Sequence, residues 1–180
     1  PTLQFPSREA PQFKEVLQTN QAPADQVAVI VDEALGPITA AAKYRDREVS
    51  RRWQAHYDLT RGRLLAMKVR CYEYNWAGSR LVKAPPKFQN PKSNAWRLVP
   101  DKTIRYSERA ATAGREAEDL LHRVVVEHPD SPWALLAARE LKDPLGFKWI
   151  ETYVPPPRRR DDAAAAKKKL FILAAVGIVL

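Results

Sequence analysis

His56, His122, His128, Cys71 and the carboxylate run Glu116, Glu118 and Asp119 are the side chains whose types suit metal binding, nucleophilic attack or proton transfer. Their spacing argues against each. Zinc takes three or four ligands, and no Cys or His pair here stands at a workable separation. Cys71 falls on an apolar helical stripe, where a cysteine packs as a small hydrophobe. Successive carboxylates on a helix face water, and nothing in the run sets two of them across a cleft. His56, beside Trp53 and Tyr57, reads as a helix-surface residue, and His122 likewise. His128, ahead of Pro129 at a helix end, reads as a cap for free carbonyls. A phosphate-cradling loop needs several glycines between a strand and a helix, and the six glycines are scattered. The expectation is a chain with no catalytic residue, no cofactor and no metal, and so not an enzyme.

The basic residues have a stronger chemical reading. Lys43, Arg45, Arg47, Arg51, Arg52, Arg61, Arg63, Lys68 and Arg70 share one helical stretch, with Trp53 and Tyr57 interleaved, in a chain of formal charge +9. Charge with aromatic stacking suits nucleic-acid phosphates or anionic lipid headgroups. The candidate anion-binding set is Arg45, Arg47, Arg51, Arg52, Arg61 and Arg63. No base-reading module accompanies it. A solvated basic face is the simpler reading, so a protein partner is preferred over nucleic acid or lipid. With Cys71 as the one cysteine, an intramolecular disulfide is impossible.

The elements that would carry these residues follow from apolar periodicity. Residues 1–23 are broken by Pro6, Pro11 and Pro23 and read as irregular, with at most a short helix over 12–19. Val27, Ile30, Val31, Ala34 and Leu35 give helical spacing over 24–35, closed by Gly36-Pro37. From 38 to 81 there is no proline, and Trp53, Tyr57, Thr60, Leu64, Met67, Cys71 and Tyr74 repeat at four and three. This predicts one long helix, or two in line with a flex at Gly62. The connector 83–105 carries four prolines, with alternation at Trp96, Leu98 and Val99 predicting a short extended segment over the helices. A second periodic run spans 106–141, interrupted at 128–132, where Ser131 would cap a helix opening at Pro132. Phe147, Trp149, Ile150 and Tyr153 form an aromatic finish packing back onto the helices. The fold class is all-α: an irregular segment 1–23, a helical domain 24–154, a Pro/Ala/basic linker 155–169 and an apolar tail 170–180. Trp53, Tyr57, Leu64, Met67, Leu120, Val124, Trp133 and Leu136 are the expected core.

The tail is too short to cross a bilayer, which takes about twenty residues. Behind Lys167–Lys169 it reads as the first half of a transmembrane helix, in a chain cut at both ends.

Residues 117–137, AEDLLHRVVVEHPDSPWALLA, resemble one tetratricopeptide-type helical hairpin, whereas arrays need about three or more units. More broadly, RWQAHYDLTRGRLLAMKVR from Arg52, NPKSNAWRLVP from Asn90 and EHPDSPWALLA from Glu127 resemble the region following the von Willebrand factor A domain in some bacterial proteins. That resemblance covers about 52–154. It implies a helical appendage of a surface or envelope protein, with the adhesive metal-binding domain upstream. Its Asp-x-Ser-x-Ser metal motif is absent here, so no metal site carries over. The implied location is the bacterial envelope or a membrane, with the cytoplasm as the alternative.

Overall fold

The computed structural model describes residues 3–6, 13–84 and 86–155. The linker beyond Pro155 and the apolar tail lie outside them. In chain order the elements are β1 (Gln4–Pro6), α1 (Phe13–Ala40), α2 (Ala42–Arg45), α3 (Arg51–Lys83), β2 (Ala95–Asp101), α4 (Glu108–Glu127), α5 (Pro132–Glu140) and β3 (Gly146–Thr152). The all-α expectation is thus corrected: the chain is mostly helical, but it also carries an antiparallel sheet of order β1-β2-β3.

α1 begins far earlier than the prolines imply and runs through both Pro23 and Pro37. An interior proline costs a helix about 3 kcal/mol. Phe13, Leu17, Ala24, Ala28, Val31 and Leu35 are all buried along one stripe, so packing on both sides of Pro23 holds the helix in one register. The irregular reading of 1–23 is therefore corrected twice, since β1 also lies within it.

The helix expected over 38–81 is broken instead at residues 46–50. Side chains compete for the backbone there. The Glu48 carboxylate accepts from Ser50 N at 2.8 Å, and Gln54 Nε2 donates to the Glu48 carbonyl at 2.6 Å. α3 then runs unbroken through Gly62. That glycine is no flex point; it is where α4 comes close, since a Cβ there would stand 3.0 Å from Leu121 Cγ.

The buried face of α3 also differs from the expected one. It comprises Ala55, Asp58, Leu59, Gly62, Leu65, Ala66, Val69, Glu73, Tyr74, Ala77, Gly78 and Leu81. Trp53 is 56% exposed, Met67 41% and Leu136, on α5, 43%. Tyr57, Leu64 and Trp133 are half-buried, and Leu120 and Val124 are buried as expected. The reason is steric: α3 is flanked by α1 and α4, and small residues let backbones approach where tryptophan and methionine would hold them apart.

Three clusters make the core. One joins the start of α1, the end of α3 and the sheet through Phe5, Leu17, Tyr74, Leu81, Trp96 and Leu98. A second joins the end of α1, the middle of α3 and α4 through Val31, Leu35, Leu65, Val69 and Leu120. The third sets Leu59 against Leu121, Val124 and Ala137 of the α4–α5 hairpin. The extended segment expected around Trp96 is β2, with Trp96 and Leu98 inward and Arg97 outward. It pairs with β3 from Ala95↔Thr152 to Asp101↔Gly146. The aromatic finish is β3 itself; Trp149 Nε1 donates to the Ala77 carbonyl at 3.0 Å, tying the sheet to α3.

Candidate ion-pair network and surface clefts

The six arginines proposed for anion binding do not form one surface. Arg45 turns inward. Its Nη2 lies 2.5 Å from Asp58 Oδ2 and 2.7 Å from Glu127 Oε2, joining α2 to α3 and α4. Asp58 is fully buried, and Arg123 stands 3.7 Å from its other oxygen. Burial works against the Arg45 charge, but the bonds from Asp58 and Glu127 outweigh it and raise its pKa. The same bond, with Arg45, holds the Glu127 carboxyl below its ordinary value.

Arg61 pairs with Glu116 across α3 and α4 and donates to Tyr57 Oη at 3.3 Å. Arg63 Nε stands 3.5 Å from Glu140, which also pairs with Arg70. Arg51 donates to the Glu127 carbonyl at the end of α4. Arg52 lies over the Trp53 ring at 5.8 Å, and Arg47 is exposed. Carboxylates thus engage Arg45, Arg61 and Arg63, while Arg47 and Arg52 face outward.

The remaining chemistry-bearing residues are scattered. His56 is exposed and sits edge-on to Trp53 at 6.0 Å; His122 is exposed on α4. His128 departs from its expected capping role. Its backbone N–H closes α4 on the Val124 carbonyl at 3.1 Å, but its imidazole is buried and Nε2 has no hydrogen-bond partner among the described residues. Ser131 acts as expected, accepting from Ala134 N at 3.1 Å ahead of Pro132. Asp130, just before it, adopts φ 61°, the left-handed turn that an aspartate tolerates. Cys71 is half-buried, and burial with the nearby Asp25 charge pushes its thiol pKa up. Among the described residues no group of three or more His, Cys, Asp or Glu could hold a metal ion.

Sequence reasoning missed Glu73. It is fully buried on α3, and its Oε1 accepts from the Arg105 and Tyr106 amides at 2.7 and 2.5 Å. A glutamate at the same helical phase as Val69 and Ala77 was the available signal.

Four surface depressions are notable. The largest, about 790 Å³, lies among α1, α3 and the start of α4. There Tyr72 Oη donates to Asp32 Oδ2 at 2.8 Å, and Lys68 stands 2.5 Å from Asp32 Oδ1. Burial and the Asp32 bond push Tyr72 up to about 12. A second depression, about 350 Å³, is lined by Tyr44, Trp53, His56 and Tyr57 where α2 meets α3. A third, about 670 Å³, runs along the outside of the hairpin between Val125 and Leu135. The fourth, about 360 Å³, lies where the start of α3 meets the α4–α5 turn.

Compared with family models, curated proteins and solved structures, the chain matches none. Among the described residues no helix is long and apolar enough to cross a membrane.

Proposed function

We propose that this chain is a non-catalytic helical scaffold, a protein-interaction region of a larger bacterial envelope or membrane protein of the von Willebrand factor A type. The observation that carries the protein-binding part is the outer face of the α4–α5 hairpin. Leu135 is 73% exposed, and it lines a groove with Val125, Pro129, Pro132, Ala134 and Ala138. Leu136, the next residue, and Val126, at the end of α4, are exposed as well. An exposed leucine over a groove, with two further exposed aliphatic side chains on the same hairpin, suits a surface that another protein covers. The hairpin is fixed from its other side by the Leu59, Leu121, Val124 and Ala137 cluster, so the groove is rigidly presented. The envelope assignment rests on the sequence resemblance.

The test places a photo-crosslinking amino acid at Leu135 in the full-length protein, in its native cells. A parallel protein carries the same probe at Glu118, an exposed position on α4. The expected result is a discrete crosslinked protein from Leu135 and none from Glu118. Equal or absent crosslinking at both positions would refute a docking role for this face.

A further inference from the structure

α1 and α3 lie side by side and antiparallel. Gln21 donates to the Asn75 carbonyl, Asp32 meets Lys68 and Tyr72, and Tyr57 Oη donates to the Ile38 carbonyl. The flank of this pair that carries Asp32 faces α4 across the largest depression. The opposite flank is different in kind. On α1, Val27, Ile30, Ala34 and Ile38 recur at three and four residues; on α3, Trp53, Thr60 and Met67 recur at seven. Each set therefore forms one line along its helix. Ile38, Trp53 and Thr60 line a common hollow, which sets the two lines against each other, and the antiparallel pairing brings Ile30 to the level of Met67. None of these seven residues is charged and none is buried; Ile30 is 63% exposed, and Met67 and Trp53 are exposed as well. A continuous uncharged band on a helix pair suits a further apolar segment.

The chain holds such a segment. Leu170–Leu180, LFILAAVGIVL, is apolar throughout and lies outside the described residues. The upper end of the band adjoins the sheet, since Ala24, three residues before Val27, packs with Phe5 and Trp96. The chain leaves that same sheet at Val154, whose N–H donates to Asn94 Oδ1 at 2.7 Å. Residues 156–169 can bridge up to about 45 Å, and the line from Trp53 to Met67 is about 21 Å long. Eleven residues span about 16 Å as a helix and about 36 Å drawn out, so either form covers most of that line. A tethered segment is also present at millimolar effective concentration, which favours it over a second copy or a separate protein.

We infer that Leu170–Leu180 folds back onto this flank and covers Ile30, Met67 and Trp53, with residues 156–169 as its tether. Tail and band then leave water together, which neither does alone. The groove between Val125 and Leu135 stays free for a partner, because it lies on the far side of the molecule, along the α4–α5 hairpin. A tail seated here is not in a bilayer, so this seat and membrane insertion exclude each other.

The test places a photo-crosslinking amino acid at Met67 in the whole chain, irradiates it at low concentration and maps the product by mass spectrometry. The expected product is a crosslink within one chain, joining position 67 to residues 170–180 and undiminished by dilution. The same probe at Glu118, exposed on α4, should give none. Ile30→Asp, at an exposed site, should cut the yield at least tenfold with an unchanged circular dichroism spectrum. Absence of a tail crosslink overturns the proposal, and co-sedimentation with phosphatidylcholine vesicles would then assign the tail to a bilayer. Crosslinks formed only between two chains overturn it too, and assign the flank to a second copy. An undiminished crosslink in Ile30→Asp would sink the seat named here.

Discussion

Arg45 and Asp58 carry much of the specificity at the residue scale, because a charge without water must be matched by another. Removing one member of a buried ion pair strands the other, at a cost of about 3–5 kcal/mol. Arg45→Ala should therefore lower the urea midpoint sharply, whereas Arg47→Ala, at an exposed site, should stay within about 0.5 kcal/mol of the parent. The acid limb of stability belongs to this network and to two separate ion pairs, Asp32 with Lys68 and Asp101 with Arg105. Glu127, Asp32 and Asp101 all have pKa values lowered in the folded chain: Arg45 and Arg105 favour the charged forms of Glu127 and Asp101, and at Asp32 burial acts the other way but is outweighed by Lys68 and Tyr72 together. Depressed carboxylates stabilise the fold fully above their unfolded pKa values, near 4, and the contribution fades as pH falls through the lower folded values. Thermal melts should thus be flat from pH 7 to about 5 and fall below about 4, with a shallower fall in Glu127→Gln. Glu73 makes a different demand, since it holds two backbone amides rather than a side chain. Glu73→Ala should destabilise by about 1–3 kcal/mol, with hydrogen exchange accelerating first at the Arg105 and Tyr106 amides.

At the scale of elements, α3 shows why helix existence was legible in the sequence and helix orientation was not. A four–three repeat is visible whether its members are core or rim. Trp53, Met67 and Cys71 repeat with the right period, yet the neighbouring helices pack on the face carrying Ala55, Gly62, Ala66, Ala77 and Gly78. Close helix contact selects small side chains, which an apolarity count undervalues, and it buries Asp58 and Glu73, which such a count rejects. Proline misled in the opposite direction: Pro23 and Pro37 lie inside α1 because tertiary burial exceeds their local cost. Ser131, Pro132 and the alternation at Trp96 and Leu98 were readable because turn chemistry and period-two burial are local. The six candidate arginines do not share one surface for the reason that hid Asp58: sequence shows charge, while pairing depends on which helices meet. The glycines test the packing claim. Gly62→Val should destabilise by about 1–3 kcal/mol by driving α4 from α3. Gly36→Ala meets nothing within 4 Å and should stabilise by about 0.5–1 kcal/mol, as alanine for glycine in a helix does. Paired urea melts would check both.

On the scale of the whole molecule, α3 is a mast that the other parts share. α1 and the sheet dress its far end, α4 and α5 its near end, and the three core clusters follow one another along it. Such a layout leaves the outer face of the hairpin with no helix upon it among the described residues, so the exposed leucines there add little to the described core. A surface kept for a partner and a surface kept for the core must respond oppositely to charge. Leu135→Asp should leave the melting temperature within a degree or two, since the side chain is already in water. Leu121→Asp should unfold the chain, because it places an unpaired carboxylate between Gly62 and the hairpin. If Leu135→Asp melts like the parent yet abolishes crosslinking from a probe placed at the neighbouring exposed Leu136, the groove is an interface. A large loss of stability in that variant would instead make the hairpin face part of the fold, and the scaffold reading would lose its docking surface.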